Sequence, residues 1–213
     1  GPSVTADGDG DGFYTVGEEV AVSFACDDGA GSGIASCELF DGTTSIPAIV
    51  DPSNDSSYTA TFDVADVGVR PLTVTATDNV GNEFTSDPIS ITVAYGTCLL
   101  YDPDQAKNPG SNYTIKLQLC DADGTNLSSR QITLTALTVD ETLDPGPNDS
   151  GKANDGYEFR FQGGSYIYNL DTTGLDPGPH LLYFTTQPVP DPRPVASELQ
   201  KLVDSEPAPF TIG

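Results

Sequence analysis

Four carboxylates crowd into one short stretch, DGDGDGFYTVGE, residues 7–18. Asp7, Asp9, Asp11, Gly12 and Glu18 fill every specified position of D-x-[DN]-x-[DN]-G-x5-E, the pattern of a twelve-residue calcium loop. The spacing has a physical reason. Ca²⁺ takes six to eight oxygens, and alternate carboxylates on a tightly curled chain converge on one point. Gly12 permits the sharp turn, Phe13 offers its backbone carbonyl, Thr15 holds a water, and Glu18 closes the shell with two oxygens. The competing reading is an ordinary solvated turn, since Asp-Gly repeats also make turns. No helices flank the stretch: the residues behind it, EVAVSFAC, alternate like a strand.

Other chemistry is thinly represented. The sole histidine, His180, opens a strand in PGPHLLYF and has no G-x-S-x-G serine or reactive-thiol context to work with. Paired acids for glycoside cleavage exist everywhere in so acidic a chain. A carbohydrate cleft, however, also wants stacking aromatics, and there is no Trp. We therefore expect no enzyme activity. Lys116 raises the idea of an intramolecular isopeptide bond, but it shares the outward parity of Thr114 and Gln118, so an exposed lysine is expected. N-x-[ST] sequons fall at Asn54, Asn112, Asn126 and Asn148, a number that chance supplies in a chain rich in Ser, Thr and Asn.

Acidic residues outnumber basic ones 32 to 8 in 213 residues, a formal charge of −24. Nucleic acid and anionic membrane surfaces repel such a protein, so neither is an expected partner. No apolar run approaches the roughly 18 residues of a membrane span, so no direct membrane insertion is expected. The chain opens on Gly-Pro-Ser rather than Met and no signal peptide remains, which points to a processed or excised chain.

Cys26, Cys37, Cys98 and Cys120 allow three pairings. No C-x-x-C occurs and His180 lies far from every Cys, which argues against zinc. Two local bridges in an exported protein are expected, Cys26–Cys37 and Cys98–Cys120. Cys26 and Cys37 share inward parity on consecutive strands, which favours their pairing. Cys120, in contrast, has the parity of its strand's polar face.

Strand signals position all of these residues. EVAVSFAC turns Val20, Val22, Phe24 and Cys26 to one face; SYTATFDV does the same with Tyr58, Ala60, Phe62 and Val64. LTVTATD contributes Leu72, Val74 and Ala76, and GIASCELF places Cys37 with Ala35 and Leu39. Period-two alternation with Thr and Ser outward means antiparallel sheets with one face in water. The rhythm restarts after Tyr95, where NYTIKLQLC turns Tyr113, Ile115, Leu117 and Leu119 inward. The expected architecture is all-β: two tandem immunoglobulin-like antiparallel β-sandwiches, residues 1–95 and 96–213. Residues 142–155 read as a long loop. Val195, Leu199, Leu202 and Val203 fall at helical spacing, predicting a short helix at 195–203 within an insertion at about 187–207.

Residues 4–95 resemble bacterial immunoglobulin-like domains of exported proteins, on YTVGEEVAVSFACDD, SGIASC and LTVTATDNVGN. In the last, Asp78 starts the turn and Gly81 closes it. Residues 96–213 resemble the PxKF family, on CLLYDPDQAKNPGSNYTIKLQLCDADG and GGSYIYNLDTTGLDPG. The eponymous Pro and Phe are Thr114 and Leu117 here, and the insertion of about twenty residues is a second departure. The resemblance implies a secreted or cell-surface sandwich with no catalytic activity. Its expected role is a structural or adhesive spacer, stiffened by calcium where the loop meets the end of the first sandwich. The partners are then neighbouring domains of a longer chain. The alternative is a binding module for a glycan or protein ligand.

Overall fold

The computed structural model describes residues 3–6, 13–28, 31–51, 54–63, 67–141, 156–199 and 202–213. The chain divides into two compact units after Ala94, one residue earlier than the sequence boundary. The first holds β1 (Ser3–Ala6), β2 (Phe13–Thr15), β3 (Glu19–Ala25), β4 (Ile34–Asp41), β5 (Thr44–Ile46), β6 (Ala48–Asp51), β7 (Asn54–Asp63), β8 (Gly68–Asp78), β9 (Glu83–Thr85) and β10 (Ile89–Ala94). One sheet runs β1-β3-β7-β6 and the other β2-β10-β8-β4-β5, with β9 also paired to β8. In immunoglobulin lettering these are an A-B-E-D sheet and an A′-G-F-C-C′ sheet.

Register follows the hydrophobic parity. Val20, Val22, Leu39, Leu72, Val74 and Ile91 are all fully buried. Each such side chain contributes about 1.5–3 kcal/mol on burial, so a one-residue slip that exposed a whole set would outweigh any turn preference. Ala35 departs from the expectation. The register shifts between Ile34 and Ser36, and this bulge turns Ala35 outward to solvent while Cys37 and Leu39 stay buried. The side chains of Phe62 and Val64 lie outside the described residues.

The second unit holds β11 (Gly96–Leu99), β12 (Asn112–Cys120), β13 (Thr135–Val139), β14 (Arg160–Gln162), β15 (Ser165–Asp171), β16 (Gly178–Thr185), the helix α1 (Ala196–Leu199) and β17 (Ala208–Ile212). Its sheets are β11-β12-β15-β14 and β13-β16-β17, the A-B-E-D and C-F-G sets of a seven-stranded sandwich. Ile115, Leu117, Tyr168, Leu182 and Phe184 are fully buried in its core, with Phe210 at 1 % exposure. The fold is therefore two immunoglobulin-like β-sandwiches, the second with a short helix between its last two strands. The predicted loop at 142–155 lies outside the described residues.

Both units use one turn. In DNVGN, Gly81 and Asn82 close onto Asp78: Gly81 N–H donates to Asp78 O (3.1 Å), Asp78 N–H to Asn82 O (3.0 Å), and Val80 and Asn82 N–H to Asp78 Oδ1 (2.9 and 2.8 Å). DADGT repeats the pattern on Asp121, whose Oδ1 accepts from Asp123 and Thr125 N–H (3.1 and 2.7 Å). Glycine is required at the fourth position, where φ is +89° at Gly81 and +79° at Gly124. The side-chain amide and then the N–H of Asn82 hold the Asp78 carboxyl below its usual range.

Candidate functional site

Of the five residues expected to ligate calcium, Asp7, Asp9 and Asp11 lie outside the described residues. Phe13 and Glu18 are described. β1 ends at Ala6 in one sheet, and Phe13 begins β2 in the other, parallel to β10 with Phe13 opposite Thr92. Val16 N–H donates to Ala94 O (2.9 Å), which sets the turn after β2 beside the last residue of the first unit. Glu18 N–H donates to Thr15 O (2.9 Å) while its Oε2 accepts from Thr15 N–H (2.8 Å). The carboxylate is thus folded back along the loop. Among the described residues, no group of three or more His, Cys, Asp or Glu is arranged to hold a metal.

The two disulfides are Cys26–Cys37 and Cys98–Cys120. Cys26 follows β3 in one sheet and Cys37 lies on β4 in the other, so the first bridge pins the two layers together. It is buried, at 1 % and 8 % exposure for its two ends. The second bridge connects neighbouring strands of one sheet diagonally: Cys98 sits opposite Gln118 and Cys120 opposite Gly96. That resolves the parity of Cys120, because the bridge lies on the outer face to which Gln118 also belongs.

The insertion between β16 and β17 covers an edge. Its helix spans only Ala196–Leu199, shorter than the predicted 195–203, and residues 200–201 lie outside the described residues. Leu199 is buried at 3 % exposure, Leu202 and Val203 are half-buried, and Val195 stays 70 % exposed. A helix this short has room for one anchor rather than a stripe. It packs on β13, where Leu137 and Thr138 are fully buried although neither belongs to the core cluster.

Arg193 completes the cover. Its Nη2 donates to Ala136 O (2.8 Å) and Leu137 O (2.7 Å), and its guanidinium lies 3.7 Å over the Tyr157 ring. In a regular strand successive carbonyls point to opposite sides. The register shift between Ala136 and Thr138 lets one nitrogen reach two in succession. At the base of the insertion, Asp204 accepts from Thr186 N–H (2.9 Å) and Thr186 Oγ1–H (2.6 Å). Helical periodicity in the sequence points at Leu199 but says nothing of Arg193. The available signal was scarcity, since this is one of only eight basic residues.

His180 is held at both ring nitrogens. Nδ1 lies 2.6 Å from Asp140 Oδ2 and Nε2 lies 2.8 Å from Asp176 O, with the ring stacked on Phe210. No ring nitrogen is left to take a proton from a substrate. Lys116 is exposed on β12 opposite Ile167, as its parity predicts. Asn112 and Asn126 are exposed. The Asn126 amide donates to Gly164 O (3.1 Å), and its Oδ1 accepts from Ser128 N–H (2.9 Å). Asn148 and the side chain of Asn54 lie outside the described residues. The second unit also carries an open, mainly apolar groove of about 410 Å³ lined by Thr97, Leu99, Leu181, Glu206, Pro207 and Pro209.

No family model and no curated protein matches the chain. Among solved structures it is similar to the fibronectin(III)-like modules of Clostridium thermocellum CbhA: 18 % identity, 99 % of this chain and 93 % of that one, TM-score 0.34. It is similar also to the Yersinia pseudotuberculosis adhesin InvE: 14 % identity, 100 % and 58 %, TM-score 0.36. A third likeness is to an ICAM-5 D1–D4 ectodomain fragment: 14 % identity, 87 % and 49 %, TM-score 0.43. The immunoglobulin-type assignment stands on the strand order within each unit.

Proposed function

We propose that the chain is a non-catalytic pair of immunoglobulin-like modules from the bacterial exterior, serving as a structural or adhesive segment of a longer surface or secreted protein. The observation that carries this reading is a disulfide within each sandwich. Such bonds persist in oxidising compartments and are rare in the cytosol. The acidic charge and the doubly bonded histidine agree with it. The second unit is, on its sequence resemblance, a PxKF-type domain. A ligand-binding role is the second reading, and the groove along Leu99, Leu181 and Pro209 is what favours it.

Binding of the purified chain to arrayed glycans and immobilised matrix proteins separates the two. A spacer is expected to show no saturable binding below millimolar concentration. Sub-millimolar binding abolished by Leu181→Asp would move the assignment to a ligand-binding module.

Calcium is part of the proposal, with Asp7, Asp9, Asp11, the Phe13 carbonyl and Glu18 as its ligands. The folded-back carboxylate of Glu18 supports this, since it is directed along the loop it would close. Four carboxylates so near in sequence repel one another without a cation. Binding to the folded state alone should add about 2.7 kcal/mol at a hundredfold excess over Kd. Calorimetric titration of chelated protein, with Asp9→Ala as control, measures it. A melting temperature indifferent to calcium, with no heat above the control, would leave a solvated turn.

A further inference from the structure

His180 faces two groups that only accept hydrogen bonds, the Asp140 carboxylate at Nδ1 and the Asp176 carbonyl at Nε2. Neutral imidazole has one N–H and one lone pair, so in that form one nitrogen would point a lone pair at an oxygen. Only the imidazolium satisfies both contacts. The Asp140 side chain is committed further, because its Oδ1 accepts from Leu181 N–H (2.9 Å) and its own N–H donates to Leu181 O (3.0 Å). Asp140 and Glu141 both have left-handed backbone, with φ of 48° and 64°. Two consecutive non-glycine residues in that region are costly unless their surroundings hold them there.

We propose that protonated His180 is a pH-sensitive latch that fixes the end of β13 to the start of β16 and holds Asp140 and Glu141 in their left-handed conformation. Among the described residues the charged and titratable groups around it are few. From the turn after β13 come Asp140 and Glu141, from the turn before β16 comes Asp176, and β16 itself adds Tyr183, whose hydroxyl donates to Glu141 Oε1 (3.4 Å). β17 contributes the uncharged ring of Phe210. All the ionised neighbours are acidic and favour the cation. Burial of the ring works the other way, and the bonds to Asp140 and Asp176 outweigh it, so the His180 pKa is raised above its ordinary 6.5. With the folded value raised, the latch contributes fully below about pH 6.5 and is lost as pH rises through the folded pKa. Asp140 and Glu141 are therefore held while His180 is protonated and loosened as pH rises through its folded pKa.

The test uses the full chain, whose single histidine gives one Cε1–H resonance. Its NMR titration should show a midpoint above 6.5, and Asp140→Asn should lower that midpoint. The protection of the Leu181 amide, corrected for intrinsic exchange, should fall through the same pH interval, while that of Ile115 on β12 does not. His180→Phe, which retains a ring against Phe210, should abolish the pH dependence at Leu181. Should that variant not fold, Asp140→Asn alone decides the matter. A wild-type midpoint at or below 6.5, or Leu181 protection unchanged through it, would overturn the latch.

Discussion

Replacing either cysteine pair by alanine should lower the stability of its own sandwich by about 3 kcal/mol and leave the other unaffected. The figure follows from the entropy that each bridge removes from the unfolded chain. The separations are 11 residues for Cys26–Cys37 and 22 for Cys98–Cys120. Because the dependence on loop length is logarithmic, the two losses should differ by well under 1 kcal/mol. Their structural consequences differ more. The first bridge joins the two sheets of its sandwich, so its loss removes a tie between layers. The second only reinforces a strand pair already hydrogen-bonded along its length. Native-state hydrogen exchange on β3 and β8 against β12 and β15 reads the two units separately. Equal losses in both units from a single replaced pair would contradict this account.

Arg193→Ala should cost the second sandwich a comparable amount, roughly 3 kcal/mol. A hydrogen bond to a charged donor contributes about 1.5–3 kcal/mol net, and a carbonyl left buried without a partner is penalised further. The guanidinium over Tyr157 adds about 0.5–1 kcal/mol. These terms are not additive, since one side chain makes all the contacts and the edge can partly resolvate. Arg193→Lys should recover part of the loss, because an ammonium can still donate to the carbonyls of Ala136 and Leu137. It cannot lay a planar cation on the tyrosine ring. Urea unfolding of both variants measures the difference. An alanine variant within 0.5 kcal/mol of wild type would show that water replaces the arginine without penalty.

The physical role of this arginine is edge protection. β13 is the outer strand of its three-stranded sheet, and an open strand edge invites pairing with another chain. The second unit answers this along most of the strand. Ala136 N–H donates to Tyr157 O (2.8 Å), Phe159 N–H donates to Leu134 O (2.8 Å), and Arg193 takes the two carbonyls at the bulge. The insertion between β16 and β17 thus closes an edge. It makes sense of a helix too short to be stable by itself, because its place is set by Leu199 and the arginine rather than by its own hydrogen bonds.

Much of this molecule was legible without coordinates, because a strand's side-chain period and a turn's need for glycine are local properties. Alternation alone determined the inward sets Val20, Val22, Phe24 and Tyr113, Ile115, Leu117, Leu119, all of them buried. The turn from Asp78 to Gly81 was legible likewise, since a carboxylate two to four residues from the N–H groups that donate to it needs no distant partner. Other features depend on residues far apart in the chain, and there only the tertiary structure decided. Which sheet the residues after the acidic stretch would join could not be read, because period two is the same in either sheet; β2 lies beside β10, almost eighty residues away. The bulges at Ala35 and Leu137 change parity with no local mark of their own. In the sequence His180 is only a lone histidine at the start of a strand, and no motif there marks Arg193. The pairing of β16 with β13, and the packing of the insertion after β16 on β13, bring each to acceptors some forty to sixty residues distant, and those oxygens determine what each side chain does.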